Sequence, residues 1–193
     1  MVDAILGFVS DLQELESTLR FEKYSSHSPT HKTPMTLKFA FSSFSHILAT
    51  FFGAGVIRPA SGTWGSLAAL LVYMALESFI PWWGWICIII TSFLAGAKVS
   101  ETTGNDIGVH DHSSIVIDEV FAVWAILLTV PSSWEWQIAA FAVFRFFDIV
   151  KLPPVNFFDT HERWKNGWGV MLDDAVAAVQ SIFTISIVKI IIY

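Results

Sequence analysis

A chain of 193 residues that is 54% hydrophobic, only 15% charged and of mean hydropathy +0.58 has the length of one domain but not the composition of a water-soluble one. Its formal charge of −6, from 11 Lys and Arg against 17 Asp and Glu, excludes the phosphate neutralisation that nucleic-acid binding requires. The single cysteine, Cys87, stands in the apolar run Ile86 to Ile90, which excludes a disulfide framework or a cysteine-based zinc site and reads as a small buried or lipid-facing hydrophobe.

In chain order, residues 1–36 form a polar extension. Within it Ile5, Val9, Leu12, Leu15 and Leu19 recur at spacings of three and four, so Ala4 to Phe21 is predicted to be an amphipathic helix. Its polar face carries Asp11, Glu14 and Glu16, which disfavours anionic lipid and any secretory or transit signal. That leaves packing on its own protein, on a second copy or on a partner helix. Ser25 to Pro34 reads as linker. Residues 37–193 form the membrane-embedded domain. Its first segment, Leu37 to Ile57, is nearly apolar but holds His46, several hydroxyl residues and a Gly53-Ala54-Gly55 break, and the parity of the loops makes it re-entrant or interfacial rather than a span.

The charge gaps mark the membrane. Between Arg58 and Lys98 the only charged residue is Glu77, and Glu119 to Glu135, Glu135 to Arg145 and Asp174 to Lys189 hold none inside them. Each gap is about 15 to 20 residues or a little shorter, enough with interfacial flanks to cross a core of about 30 Å. An all-α bundle of about five spanning helices follows: Thr63 to Ile80, Trp83 to Ala97, Ile117 to Val130, Glu135 to Val150 and Ala175 to Ile192. The connections at Pro81 to Trp85 and Pro131 to Trp136 are short, Trp-rich and free of Lys and Arg, so they are predicted to be outer hairpin tips. Lys98, Asp106, His110, Asp111 and His112 are placed in one charged loop, and Lys151, Asp159, His161, Glu162, Arg163 and Lys165 in another; both are predicted to face the cytoplasm.

Carboxylates gather on that same side. Asp118 and Glu119 open the third span, Asp173 and Asp174 open the fifth, and Asp148 lies near the inner end of the fourth. An acid in a first helical turn can cap it for about 0.3–1 kcal/mol, which explains one acid of each pair but not both. Adjacent helical residues point about 100° apart, so one member of each pair is expected to face inward. So many acids at one depth call for a cation between them, and an all-oxygen set suits Mg²⁺. Asp118, Glu119, Asp148, Asp173 and Asp174 are therefore the candidate metal ligands and catalytic acids. Arg145, Asp148 and Lys151 recur in steps of three, flanking a carboxylate with two cations able to hold phosphate or to anchor the helix on the positive side. The turn Arg58 to Ser66 feeds a helix N-terminus whose amides at Gly62 and Thr63 can face an anion, or form a plain capping turn using Ser61 or Thr63. His110-Asp111-His112 lacks a third histidine and reads as solvated loop or proton shuttle, and His46 as a polar contact within its segment. No G-x-S-x-G occurs, so covalent serine chemistry has no support.

Four stretches together, Gly53 to Ser66, Asp106 to Glu119, Phe144 to Pro154 and Gly167 to Asp174, resemble the phosphatidylglycerophosphatase A family of bacterial inner-membrane lipid phosphatases, over about Leu37 to Tyr193. The resemblance implies Mg²⁺-dependent hydrolysis of phosphatidylglycerophosphate to phosphatidylglycerol and phosphate, in phospholipid biosynthesis at the cytoplasmic face. By position it implies that Asp106, Asp118, Glu119, Asp148, Asp173 and Asp174 are the acidic residues of the site and Arg145 and Lys151 its cations, with Gly62, Thr63, Arg145, Lys151 and Asp106 on the substrate. Ser61-Gly62-Thr63 replaces the family's Pro-Gly-Thr, and Asn166-Gly167 its Gly-Gly, which alters turn freedom and no charge. Attack by an activated water or by an Asp nucleophile are both compatible with these residues. The rival from another class is a cation- or proton-coupled transporter using the same carboxylates near mid-membrane.

Overall fold

A computed structural model of the chain describes residues 34–110, 112–150 and 166–192, all of them helix, turn or coil, with no strand among the described residues. The expected helix at Ala4 to Phe21, Asp111, and the segment from Lys151 to Lys165 lie outside the described residues. The helices are α1 (Leu37–Ala40), α2 (Phe44–Ala49), a 3₁₀ turn (Ala54–Val56), α3 (Ser61–Leu76), α4 (Trp82–Ile107), α5 (Ile117–Leu127), α6 (Trp134–Val150) and α7 (Gly167–Ile192).

The bundle is organised around its shortest long helix. After its two acids, α5 runs Val120-Phe-Ala-Val-Trp-Ala-Ile-Leu127 with almost no polar atom, and a helix apolar on every side needs partners on every side. It obtains them: α3, α4, α6 and α7 all pack against it, and Val120, Phe121, Ala122, Val123, Trp124, Ile126 and Leu127 are buried. The Trp124 indole N–H donates to the Ala69 carbonyl at 3.0 Å, which fixes the height of α5 against α3 without leaving a buried donor unpaired. Gly167 permits a second close approach, since a Cβ there would run into the Ala97 carbonyl; α7 therefore starts hard against the middle of α4.

Two helices, α4 and α7, are long and apolar enough to cross a membrane. Their outward stripes, Ile86, Ile90 and Leu94 on α4 and Val179, Phe183, Ile187 and Ile190 on α7, stay exposed at helical spacing, as a lipid-facing surface does. Cys87 is exposed beside the first stripe. The described residues thus form an all-helical fold whose two long apolar helices suit membrane association. Of the five expected spans, two are helices of membrane-crossing length among the described residues, and the other three are shorter. At 1.5 Å per residue the 11 residues of α5 rise about 16 Å, and the 16 of α3 and 17 of α6 about 25 Å.

Helix ends also differ from the charge-gap reading. α4 continues ten residues past Ala97, because Ser100, Thr103 and Gly104 give its polar end a buried face, so Lys98 and Asp106 are helical rather than in a loop. α7 begins at Gly167, so Asp173 and Asp174 sit in its second turn and do not open it. The segment 37–57 folds as α1 and α2, capped by Thr36 and Ser43 side chains, plus the 3₁₀ turn; helices of 4 and 6 residues cannot span. Phe51, Phe52 and Gly53 take positive φ in succession, and the tight bend returns the chain towards α3. The Ala49 carbonyl then accepts the Val116 N–H at 2.8 Å, tying this segment to the residue that precedes α5.

Candidate active site

Four helix segments meet at one end of the bundle. α3 enters from Ala60, which adopts φ 61°, a left-handed conformation rare for a residue with a side chain and costing about 1–3 kcal/mol. This turn drives Gly62 onto α5. A Cβ at Gly62 would run into Glu119 Oε1 and fall 3.3 Å from Arg145 Nη1, so only glycine allows the backbone of α3 to lie against that carboxylate. The loop before α5 is pinned beside it: Ser61 Oγ donates to the Ser113 carbonyl, Arg58 Nη2 donates to Ser114 Oγ at 3.3 Å, and the Ser114 N–H donates to His112 Nδ1 at 3.1 Å.

Asp118, Glu119 and Asp174 each present a carboxylate oxygen to a common point, the oxygens lying within 4.8 Å of one another. Both members of the first pair contribute, because the extra methylene of Glu119 lets its carboxylate reach round the helix. In the second pair Asp174 is buried and contributes, whereas Asp173 stands outside the group and bears on Asp174 through its charge. None of these four acids stands at an N-cap position: Val116 holds it before α5, with Asp118 and Glu119 in the first turn, and the second pair is too far inside α7.

One cation stands against them among the described residues. Arg145 Nη1 lies 2.7 Å from Asp148 Oδ2, one turn along α6, and 3.6 Å from Glu119 Oε1. It also donates to Ser66 Oγ at 3.2 Å. The charge of Asp148 bears on both Glu119 and Asp174. The uncapped N-termini of α3 and α5 add partial positive charge, worth about 0.3–1 kcal/mol each, far too little to balance the acids. The imbalance shows in the bonding. Glu119 Oε2 and Asp174 Oδ2 are buried oxygens with no hydrogen-bond partner, and Arg145 Nε is a buried donor without one. Orphaned carboxylate oxygens that converge with a third carboxylate are the donor set a hard divalent cation takes, so the residues fit Mg²⁺.

The remaining sequence candidates divide. Asp106 stands outside the three-carboxylate group: it is half exposed at the end of α4 and pairs with His46, Nε2 to Oδ2 2.8 Å, while His46 Nδ1 meets Ser42 Oγ at 3.0 Å and the Phe39 carbonyl at 3.2 Å. His46 thus holds α2 to α4, a contact sixty residues apart that no local pattern announces. Thr63 is half-buried on the first turn of α3, next to Gly62. Lys151 lies outside the described residues. Ser66, within the Gly-rich stretch, carried no assignment from sequence; it is the docking of α3 that buries it.

Among the described residues, a helical bundle with two helices of membrane-crossing length and three converging carboxylates beside a largely buried arginine fits an enzyme acting on phosphate. The comparisons narrow this class to one family. The profile of phosphatidylglycerophosphatase A matches residues 47–189. The chain is 45% identical over 141 residues to phosphatidylglycerophosphatase A of Haemophilus influenzae, covering 72% of this chain and 85% of the relative. It is 37% identical over 154 residues to phosphatidylglycerophosphatase A of Escherichia coli, covering 79% and 88%. A Bacteroides thetaiotaomicron protein with a provisional phosphatidylinositol-3-phosphatase name is 37% identical over 150 residues, covering 74% and 92%. No solved structure matches the chain. The chain belongs to the phosphatidylglycerophosphatase A family and is an enzyme, a phosphoric monoester hydrolase. The transporter reading finds no support in this membership.

Proposed function

We propose that the protein is a Mg²⁺-dependent phosphatidylglycerophosphatase of the bacterial cytoplasmic membrane, removing the terminal phosphate of phosphatidylglycerophosphate to yield phosphatidylglycerol in phospholipid biosynthesis. The observation that carries the metal is the pair of orphaned, buried oxygens Glu119 Oε2 and Asp174 Oδ2 in a group completed by Asp118. The observation that carries the substrate is the identity to two relatives of that name. In this reading the bundle crosses the membrane several times, α3, α5 and α6 beside α4 and α7, with the acidic end at the cytoplasmic side and Trp82, Trp83 and Trp134 in the outer interface.

Asp118, Glu119 and Asp174 would hold the ion, with Asp148 and Asp173 supporting them. Bound Mg²⁺ supplies Lewis-acid polarisation of the phosphate and offsets the charge of the carboxylates. Arg145, steadied by Asp148, donates to phosphoryl oxygens as charge builds on them. A carboxylate of the cluster accepts the proton of the attacking water as the new O–P bond forms. The ester P–O bond breaks, and the glycerol oxygen leaves with a proton from the same network. Direct attack by a carboxylate, giving an acyl phosphate that water then opens, uses the same residues.

The test is phosphate release by purified protein from phosphatidylglycerophosphate in mixed micelles, with Mg²⁺ and with chelator, beside phosphatidylinositol 3-phosphate as the competing lipid. Release from the first that vanishes with chelator supports the proposal. Release only from the second, or release indifferent to chelator, overturns its substrate or its metal respectively.

A further inference from the structure

We infer that Ser66 is a positioning residue for Arg145: beside the ion pair to Asp148 it adds a neutral acceptor, so that the guanidinium is held without a second carboxylate and keeps N–H donors for the phosphate. The inference rests on the proposed function and extends it to a residue with no charge of its own.

Hydrogen-bond accounting fixes the direction of each contact. The single Ser66 hydroxyl hydrogen goes to the Gly62 carbonyl at 2.8 Å, one turn back on α3. The same oxygen, fully buried, must therefore accept from Arg145 Nη1 at 3.2 Å. Nη1 carries two hydrogens, and the other faces Asp148 Oδ2 at 2.7 Å. Those two bonds occupy one end of the guanidinium. Of the other three N–H groups, that on Nε is buried and without a partner, a donor left open. A serine returning a bond to the carbonyl four residues back is ordinary helix chemistry. Here that bond does something more, because it orients the hydroxyl lone pairs towards a different helix.

The choice of acceptor matters for the charge. An arginine surrounded by carboxylates can slide from one to the next, and every full ion pair spends part of the charge that a phosphoryl oxygen would feel. Asp148 already takes one Nη1 hydrogen at 2.7 Å, and Glu119 Oε1, at 3.6 Å, is the next carboxylate in line. A hydroxyl fixes direction without neutralising. It also links the arginine to Gly62, whose backbone already bears on Glu119, so that one chain of contacts sets the spacing between the cation and the triad.

The experiment measures phosphate release from phosphatidylglycerophosphate with Mg²⁺ for wild type, Ser66→Ala, Ser66→Cys, Arg145→Gln and Ser66→Ala/Arg145→Gln. Cysteine keeps the volume but is a poor acceptor, so both Ser66 variants are expected to lower kcat by about 10- to 100-fold with KM within about threefold, the scale of a misplaced catalytic group. In the Arg145→Gln background, Ser66→Ala is expected to add less than about twofold, because the two residues act as one unit. A hydroxyl that only supports the packing of α3 would give multiplicative losses in both backgrounds; that result, or wild-type kcat in Ser66→Ala, overturns the inference alone. A wild-type protein that releases no phosphate overturns the proposed function, and the inference with it.

Discussion

The two ends of the bundle both bury acidic and polar groups in apolar surroundings, and they settle them differently. At the tryptophan end, Glu77 follows the last turn of α3, and the buried amide of Gln137 donates to its Oε2 at 2.7 Å, so one polar side chain answers another across α3 and α6. At the opposite end, among the described residues, one guanidinium faces Glu119 and Asp148 and bears on Asp174, and the buried oxygens Glu119 Oε2 and Asp174 Oδ2 have no hydrogen-bond partner. An unsatisfied buried acceptor costs about 1–3 kcal/mol, a cost the Glu77–Gln137 pair avoids. At the acidic end the open oxygens Glu119 Oε2 and Asp174 Oδ2 are where we propose that a cation completes the bonding.

That contrast can be broken most sharply at the triad. Asp174→Asn or Glu119→Gln is expected to lower turnover by about a thousandfold or more, since the charge that holds a hard cation is lost. The same variants are expected to unfold at the wild-type temperature or higher without metal, because repulsion is relieved, and to lose the rise in Tm that Mg²⁺ gives wild type. Thermal melts with and without Mg²⁺ check this; a marked metal-free destabilisation would mean that the acids serve the fold. Next in size is Gly62→Ala. Its Cβ would displace Glu119 Oε1, and kcat is expected to fall by about 10- to 100-fold with the helical content unchanged by circular dichroism.

At the other end the expectation inverts. Gln137→Leu is expected to cost about 1–3 kcal/mol of stability, by stranding Glu77, while activity per folded molecule stays within about twofold. A hundredfold loss of activity there would show the two ends to be coupled. The smallest effect is expected from removing residues 1–33, which hold no member of the site; activity per folded molecule should persist and only yield or stability should fall. A large loss of turnover would place part of the site in that extension.

Much of the acidic end was legible in sequence because charge is expensive in an apolar chain, so Asp118, Glu119, Asp148, Asp174 and Arg145 announced themselves by standing where the gaps ended. The same signal misplaced the helix ends. A charge gap reports where lipid begins, whereas a helix ends where its backbone runs out of partners, which for α4 is the left-handed Gly108 rather than Lys98. The uncharged members of the site were the least legible. Ser66 and the packing of Gly62 on Glu119 depend on how helices dock, and the His46–Asp106 pair joins residues whose sequence surroundings say nothing of each other.

The close seat of Gly167 on the Ala97 carbonyl makes α7 an indexed part, its rotation and height set at one end before the chain reaches its acids. Asp174 lies seven residues beyond that seat, so every residue between counts as part of a spacer of fixed length. Adding one alanine within it would turn Asp174 by about 100° and carry it about 1.5 Å along the axis, out of reach of Asp118 and Glu119, with no charged group changed. In a site assembled from helices by their register, the lesion hardest to tolerate is an insertion rather than a substitution. Variation in chain length should therefore be confined to the segments outside Gly53–Ser66, Ile117–Glu119, Arg145–Asp148 and Gly167–Asp174.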